Sequence, residues 1–273
     1  MTIIQAIILG IVQGTTEFLP ISSSAHLVLV PYWLNWELSA DQAFVFDVLV
    51  QMGTLIAVII YFAKDIWNII KGFFAGIIAK KPFQGAEHRI GWLVILATIP
   101  AGIAGLLLKD KIEAAFANPY LVAVFLLVTA VLITLAEWIG KKVRNLDEMN
   151  PLDAVVIGLF QALSIFPGIS RSGSTISGGM FRNITREASA RFSFIISIPV
   201  MMAAGLMGVL DLLQLPNLVQ FLPTMIIGFV VSGVVGYFAI AWLMKFITKR
   251  PLIYFSIYCI LVAIVTFVIH HVR

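Results

Sequence analysis

Long apolar runs constrain this chain more than any other feature. Six of them lie near Asp41–Phe62, Ile90–Leu108, Pro119–Gly140, Phe192–Leu213, Phe221–Met244 and Pro251–His270. Each is long enough to cross a hydrocarbon core about 30 Å thick as a helix. Hydrophobic residues make up 60% of the chain and charged residues only 12%, whereas roughly a quarter of a soluble domain is charged. An all-α polytopic membrane protein is expected, and a soluble fold is excluded. The pattern Gly102-Ile-Ala-Gly105 and the stretch from Gly228 to Gly236 are expected where helices approach closely in lipid. Cys259 lies inside an apolar run and has no second cysteine to pair with. The apolar N-terminus lacks a basic lead-in and a small-residue cleavage site, so no cleaved signal peptide is expected. Membrane lipid is the expected surrounding partner, and nucleic acid is not expected as a partner.

Two further apolar segments are too short to cross. Ile3 to Val12 runs into Glu17 and Pro20 and resumes from Ile21 towards Leu34. Ala154 to Phe166 stops in the same way at Pro167-Gly168. A helix that breaks at membrane depth leaves backbone groups unpaired, tolerable only where the break is buried in protein or lines a wet cavity. Both segments therefore read as re-entrant helix hairpins. They also resemble each other: Gln-Ala-Ile-Ile-Leu-Gly-Ile-Val-Gln from Gln5 overlies Asp-Ala-Val-Val-Ile-Gly-Leu-Phe-Gln from Asp153. Phe44-Val-Phe46 overlies Phe192-Ser-Phe194 at the same offset, and Asn118-Pro119 resembles Arg250-Pro251. The chain thus reads as one membrane domain of two related halves, 1–145 and 146–273, each with one hairpin and three spans. An odd number of spans gives the halves opposite orientation. That is an inverted-topology repeat, whose site is expected near the midplane where the two broken elements meet.

Basic residues set the expected orientation. Lys64, Lys71, Lys80, Lys81 and Arg89 lie in or beside the loop after the first span. Lys141, Lys142 and Arg144 follow the third, and Lys245, Lys249 and Arg250 separate the last two. All fall on one face, which the positive-inside rule makes cytoplasmic. Both termini and the mouth of the first hairpin then face outward.

Three groups of residues could carry chemistry. Glu17 stands four residues after Gln13, so the two share a helix face. A carboxylate at membrane depth is a functional hypothesis by default. Its oxygen beside an amide oxygen makes a partial shell for Mg²⁺ or Ca²⁺; a protonated Glu17 acting as a structural lock is the competing reading. Ser22, Ser23 and His26 line the start of the returning half-helix, offering hydroxyls and an imidazole as base or nucleophile. Gly168, Ser170, Arg171, Ser172, Ser174 and Thr175 belong to the run Pro167-Gly-Ile-Ser-Arg-Ser-Gly-Ser-Thr175. Glycine turns, hydroxyls, a helix N-terminus and a guanidinium together suit phosphate oxygens. The competing reading is a Ser/Gly helix break with a snorkelling arginine. Arg182, Arg186 and Arg191 are expected to snorkel or to pair with Glu187. An anion cradle facing a base and a cation site reads as phosphoryl transfer or hydrolysis on a lipid-borne substrate.

Gln13-x-x-x-Glu17, Phe18-Leu-Pro-Ile-Ser-Ser23 with His26, and Pro167-Gly-Ile-Ser-Arg-Ser-Gly-Ser-Thr175 together resemble the undecaprenyl-pyrophosphate phosphatase family, also called the bacitracin-resistance protein. The resemblance covers essentially the whole chain. It implies removal of one phosphate from undecaprenyl pyrophosphate, a divalent-cation requirement, a bacterial cytoplasmic-membrane location with the site open outward, and bacitracin resistance through the shared lipid. It implies Gln13 and Glu17 as the metal element, Ser22, Ser23 and His26 as the Ser/His element, and Ser170, Arg171 and Ser172 as the pyrophosphate-binding element. Gln13 stands where many members have Glu, and Ala25 replaces a Gly frequent before the His. His26 or Ser23 could attack phosphorus, or His26 could activate water; the sequence leaves these open. A rival reading, drawn from the inverted repeat, is a transporter or flippase of polyprenyl phosphate lipids. A homodimer is one arrangement the sequence allows.

Overall fold

The computed structural model describes residues 1–37, 40–212 and 218–273. The first half contains α1 (Ile3–Phe18), α2 (Ser23–Leu34), α3 (Ala40–Tyr61), α4 (Ala63–Ile78), α5 (Ala86–Leu107), α6 (Lys109–Phe116) and α7 (Pro119–Ile139). The second contains α8 (Pro151–Leu163), α9 (Arg171–Phe181), α10 (Arg186–Leu212), α11 (Leu218–Ile247) and α12 (Ile253–Val272). Among the described residues five helices are long and apolar enough to cross a membrane, or six when the bent pair α3–α4 counts as one span. The expected end of the fourth span, Leu213, lies outside the described residues.

The expected loop after the first span is instead α4, bent by 74° from α3. Lys64, Asp65 and Lys71 interrupt the hydropathy, yet Ile66, Ile69, Ile70, Phe73 and Ile77 still recur at helical spacing. This helix lies against α5, with the Phe73 ring 4.8 Å from Trp92.

Each hairpin is held by a helix from the other half. α1 lies along α11, and a methyl group on Gly14 would stand 2.7 Å from Ser232 O and from Val235 Cβ. α8 lies along α5 in the same manner, with Gly158 against the Ala97 carbonyl. α3 packs on α10 and α7 on α12, so each of these four pairs joins one half to the other. Phe18, Phe62 and Phe194 are buried where these pairs meet, the Phe18 and Phe194 rings edge to face at 5.5 Å. Gly228 and Gly236 are in close contacts, as expected. Gly102 and Gly105 are not, because their α-carbons face open space.

Ion pairs close one end of the molecule. Asp153, wholly buried at the start of α8, takes Arg144 at 2.7 Å and Arg182 at 2.8 Å. Glu137 takes Arg186 at 2.6 Å and Lys142 at 3.2 Å, and also accepts from the Leu252 amide. Arg191 pairs with Asp65 at 2.9 Å. Arg182, Arg186 and Arg191, expected to snorkel or to pair with Glu187, instead each reach a carboxylate on a different helix. At the opposite end Arg273 donates to the Tyr32 carbonyl at 2.6 Å, and Trp33 donates to Thr266.

Since no smaller side chain exists to relieve the α1–α11 contact, Gly14→Val is expected to force the helices apart. Overpacking costs roughly 1–3 kcal/mol, or several degrees in the thermal midpoint of protein in detergent. Gly102→Ala, in open space, is expected to leave that midpoint unchanged. Equal midpoints for the two variants would contradict the contact.

Candidate active site

The chain breaks after α1 at Leu19-Pro20-Ile21 and turns on Ser22. Ser22 has φ 69° and ψ 98°, a strained region for a side chain, costing of order 1–3 kcal/mol. Its hydroxyl caps α2 by accepting from the Ala25 amide at 3.3 Å, and lies 3.2 Å from the Ser24 hydroxyl. The second break repeats this arrangement. Ser170 Oγ caps α9 by accepting from the Gly173 amide at 3.1 Å, and lies 3.2 Å from the Ser172 hydroxyl. Gly168 has φ 106°, and a Cβ there would strike the Val122 carbonyl, so only glycine fits. Thr129 of α7 clamps the turn: its hydroxyl donates to Gly168 O at 2.9 Å and accepts from the Ser170 amide at 2.8 Å.

The two breaks meet. Arg171, first residue of α9, donates through Nη2 to Glu17 Oε1 at 2.8 Å. Ser23, first residue of α2, donates to Glu17 Oε2 at 2.5 Å, and Gln13 Nε2 donates to the same oxygen at 3.0 Å. Ser172 Oγ donates to the Leu19 carbonyl at 3.0 Å, tying the breaks a second time. Glu17 is 4% and Arg171 13% exposed at the side chain. Removing one member of so buried a pair leaves an uncompensated charge, which costs about 3–5 kcal/mol. Both half-helices also aim their positive N-terminal ends at this point, with the first backbone N–H groups lacking partners inside the helix. Anionic oxygen is what such a site favours.

The expected residues divide by what they touch. Gln13, Glu17, Ser23 and Arg171 form one hydrogen-bonded group, with Ser170 and Ser172 beside it. Thr175 turns away: its hydroxyl donates to the Arg171 carbonyl at 2.7 Å and lies 2.6 Å from Ser193 Oγ. The Ser174 hydroxyl is buried without a partner. Gly168 shapes the turn. His26 is 4% exposed and bonds neither Ser23 nor Glu17. Its Nδ1 lies 2.7 Å from the Ser22 carbonyl and its Nε2 2.8 Å from the Tyr258 hydroxyl.

Four residues at the site escaped sequence reading. Thr54 of α3 accepts from Gln13 Nε2 at 3.4 Å, and Ser193 of α10 receives Arg171 Nη1 at its carbonyl at 3.4 Å. Thr129 and Tyr258 are the others. Each is a hydroxyl inside an apolar span, which is the one signal that could have singled them out.

Among the described residues no group of three or more His, Cys, Asp or Glu comes together as a metal site. One acceptor is nevertheless unused: Gln13 Oε1 is buried with no hydrogen-bond partner beside the Glu17 carboxylate. One carboxylate, one free amide oxygen and nearby hydroxyls fit a hard cation whose remaining ligands come from a phosphate.

The pattern of the family described as "Bacitracin resistance protein BacA" matches residues 6–265. An undecaprenyl-diphosphatase of Corynebacterium striatum is 45% identical over 260 residues, 94% of this chain and 91% of that protein. The undecaprenyl-diphosphatase of Chloroherpeton thalassium is 42% identical over 275 residues, 97% of this chain and 95% of its own length. That of Mycolicibacterium smegmatis is 42% identical over 267 residues, with the same shares covered. Near-complete coverage at such identity includes both hairpins, and the chain belongs to the bacitracin resistance protein family.

Proposed function

We propose that this protein hydrolyses undecaprenyl diphosphate to undecaprenyl phosphate and inorganic phosphate in the bacterial cytoplasmic membrane. The observation that carries this reading is the Ser23–Glu17–Arg171 chain. A hydroxyl is bonded to a carboxylate, the carboxylate to a guanidinium, and two helix N-termini converge on them. The relatives' names describe the same hydrolysis and not lipid carriage, so the transporter reading is not favoured.

The architecture that best accounts for the site is a single domain of two inverted repeats, 1–145 and 146–273, with six spans and two re-entrant hairpins. Equal helix starts support it: Ile3 corresponds to Pro151 and Ser23 to Arg171 at one constant offset. Equal caps at Ser22 and Ser170 and the pairing of each hairpin with the other half support it too. With the basic end cytoplasmic, the first hairpin and both termini open outward, where a lipid diphosphate would enter.

In the proposed reaction Arg171, Ser170, Ser172 and the first amides of α2 and α9 hold the pyrophosphate oxygens. Glu17 Oε2 accepts the Ser23 proton as Ser23 Oγ bonds to the terminal phosphorus. The bond from that phosphorus to the bridging oxygen breaks, and the lipid monophosphate leaves with the electron pair. Water then adds its oxygen to the phosphoserine phosphorus. Ser23 Oγ departs with the proton held on Glu17, and the proton lost by water leaves with the phosphate. Gln13 Oε1 and Glu17 would hold a divalent cation together with the substrate; when bound, it supplies charge neutralisation at the phosphates. Glu17 and Arg171 cancel in charge, so the resting site has little excess negative charge to hold a cation alone.

Four outcomes are expected. Ser23→Ala, Glu17→Gln and Arg171→Ala should each cut phosphate release from a polyprenyl diphosphate in detergent by at least about 10²-fold. An acid-quenched reaction should carry phosphate on Ser23, and near-normal turnover by Ser23→Ala would remove it as nucleophile. A chelator should stop phosphate release and Mg²⁺ or Ca²⁺ restore it; full activity in the chelator would refute the cation. Without substrate, Mg²⁺ should not raise the thermal midpoint of the wild type but should raise that of Gln13→Glu, whose second carboxylate makes the empty site anionic. A shift in the wild type alone would contradict the charge argument.

A further inference from the structure

Tyr258 belongs to α12, far from both motifs in sequence, yet its hydroxyl lies 2.8 Å from His26 Nε2. The other ring nitrogen, Nδ1, is 2.7 Å from the Ser22 carbonyl. A carbonyl only accepts, so Nδ1 carries the hydrogen. The ring is buried with no carboxylate among its partners, and an unpaired charge there would be costly. In the neutral ring Nε2 is then a lone-pair acceptor, and Tyr258 donates to it. The imidazole is thus a strut between α12 and the backbone of Ser22.

Ser22 is the one residue of the first break with a positive φ. Its carbonyl is held by His26 twice, by Nδ1 and by the His26 amide at 3.3 Å. The next residue is Ser23, whose hydroxyl must stay on Glu17 for the proposed reaction. α12 meets the same break a second time, with Cys259 Sγ 3.9 Å from the Pro20 carbonyl. Ser22, with strained dihedrals and no glycine to relax them, persists only if its surroundings over-determine it.

We propose that Tyr258 is a positioning residue: through His26 it pins the Ser22 turn that presents Ser23 to Glu17. The proposal rests on the phosphatase reading above and gives His26 a mechanical task in place of attack on phosphorus. Tyr258 itself makes none of the proposed substrate contacts, and Arg171, Ser170, Ser172 and the first amides of α9 still hold the pyrophosphate, so loss of the tyrosine hydroxyl falls mainly on turnover.

The test uses full-length protein in detergent. Tyr258→Phe keeps the ring and removes only the donor. Its kcat is expected to fall about tenfold, a loss in keeping with a small misplacement of a reacting group, with KM within about twofold of wild type. Unchanged kcat, or a rise in KM alone, would overturn the proposal. His26→Asn retains a donor for the Ser22 carbonyl but nothing for Tyr258. In that background Tyr258→Phe should cost nothing more, since the two act as one unit. A full independent loss there would also overturn it. Imidazole ¹⁵N spectra provide a readout free of turnover. The chain has 4 histidines, and only the Nε2 signal of His26 should move in Tyr258→Phe, with His88, His270 and His271 unchanged. An unmoved signal refutes the strut. A wild type that releases no phosphate would instead defeat the phosphatase reading, while the spectra still decide whether Tyr258 holds His26.

Discussion

The ion pair between Glu17 and Arg171 is the contact on which both hairpins depend. The two residues stand at opposite breaks in an apolar chain, and neither charge could be left alone where it lies. Glu17 is satisfied by a guanidinium, a hydroxyl and an amide, while Arg171 has Glu17 and the Ser193 carbonyl. In low dielectric such a group is stable only as a set, since removing any member exposes the rest to the cost of burial. The broken backbones are secured by the same means: the half-helix ends supply unpaired N–H groups, and their dipoles favour the Glu17 carboxylate. The polar centre is thus what allows two helices to stop short within the fold.

Around that centre the packing interlocks the halves. α1 and α8 lie on α11 and α5, so neither hairpin can be withdrawn without opening the other half. Gly10 and Gly158, which correspond in the repeat, each meet the partner half's helix at its backbone, at Gly228 and Ala97. The capping hydroxyls of Ser22 and Ser170 correspond in the same way. The copies differ where chemistry enters. Ile165 stands in the second copy where Glu17 stands in the first, and Arg171 where the first has Ser23. Ser174 stands where the first has His26. On the proposed reading a shared scaffold thereby carries the proton acceptor and hydroxyl on one hairpin and the guanidinium on the other.

Much of this was legible because charge and proline are conspicuous in an apolar sequence. Glu17, Arg171, the two Pro-marked breaks and the six apolar runs each announce themselves locally. Pairings across the fold do not. Glu17 and Arg171 are 154 residues apart, and no spacing rule joins them. Arg182, Arg186 and Arg191 lie near Glu187 in sequence, yet bind Asp153, Glu137 and Asp65, which tertiary packing brings to the same end. α4 was hidden because Lys64, Asp65 and Lys71 lower its hydropathy without disturbing its period. Thr54, Thr129, Ser193 and Tyr258 were hidden because a single hydroxyl in a span is ordinary until a partner faces it.

The resting arrangement also suggests why Glu17 is bound to Arg171 at all. A pyrophosphate brings several negative oxygens to a point where Arg171 is the nearest cation, and a guanidinium fork suits phosphate at least as well as carboxylate. On the proposed reading the substrate takes Arg171 over, and Glu17 is left with Ser23, Gln13 and the cation that would come with the substrate. The proton within reach of Glu17 is that of Ser23, 2.5 Å away. Binding and activation of the nucleophile are then one exchange of partners. With no substrate present, the pair keeps Glu17 neutralised and the Ser23 hydroxyl intact, so the same contact that supports the fold also holds the chemistry in check.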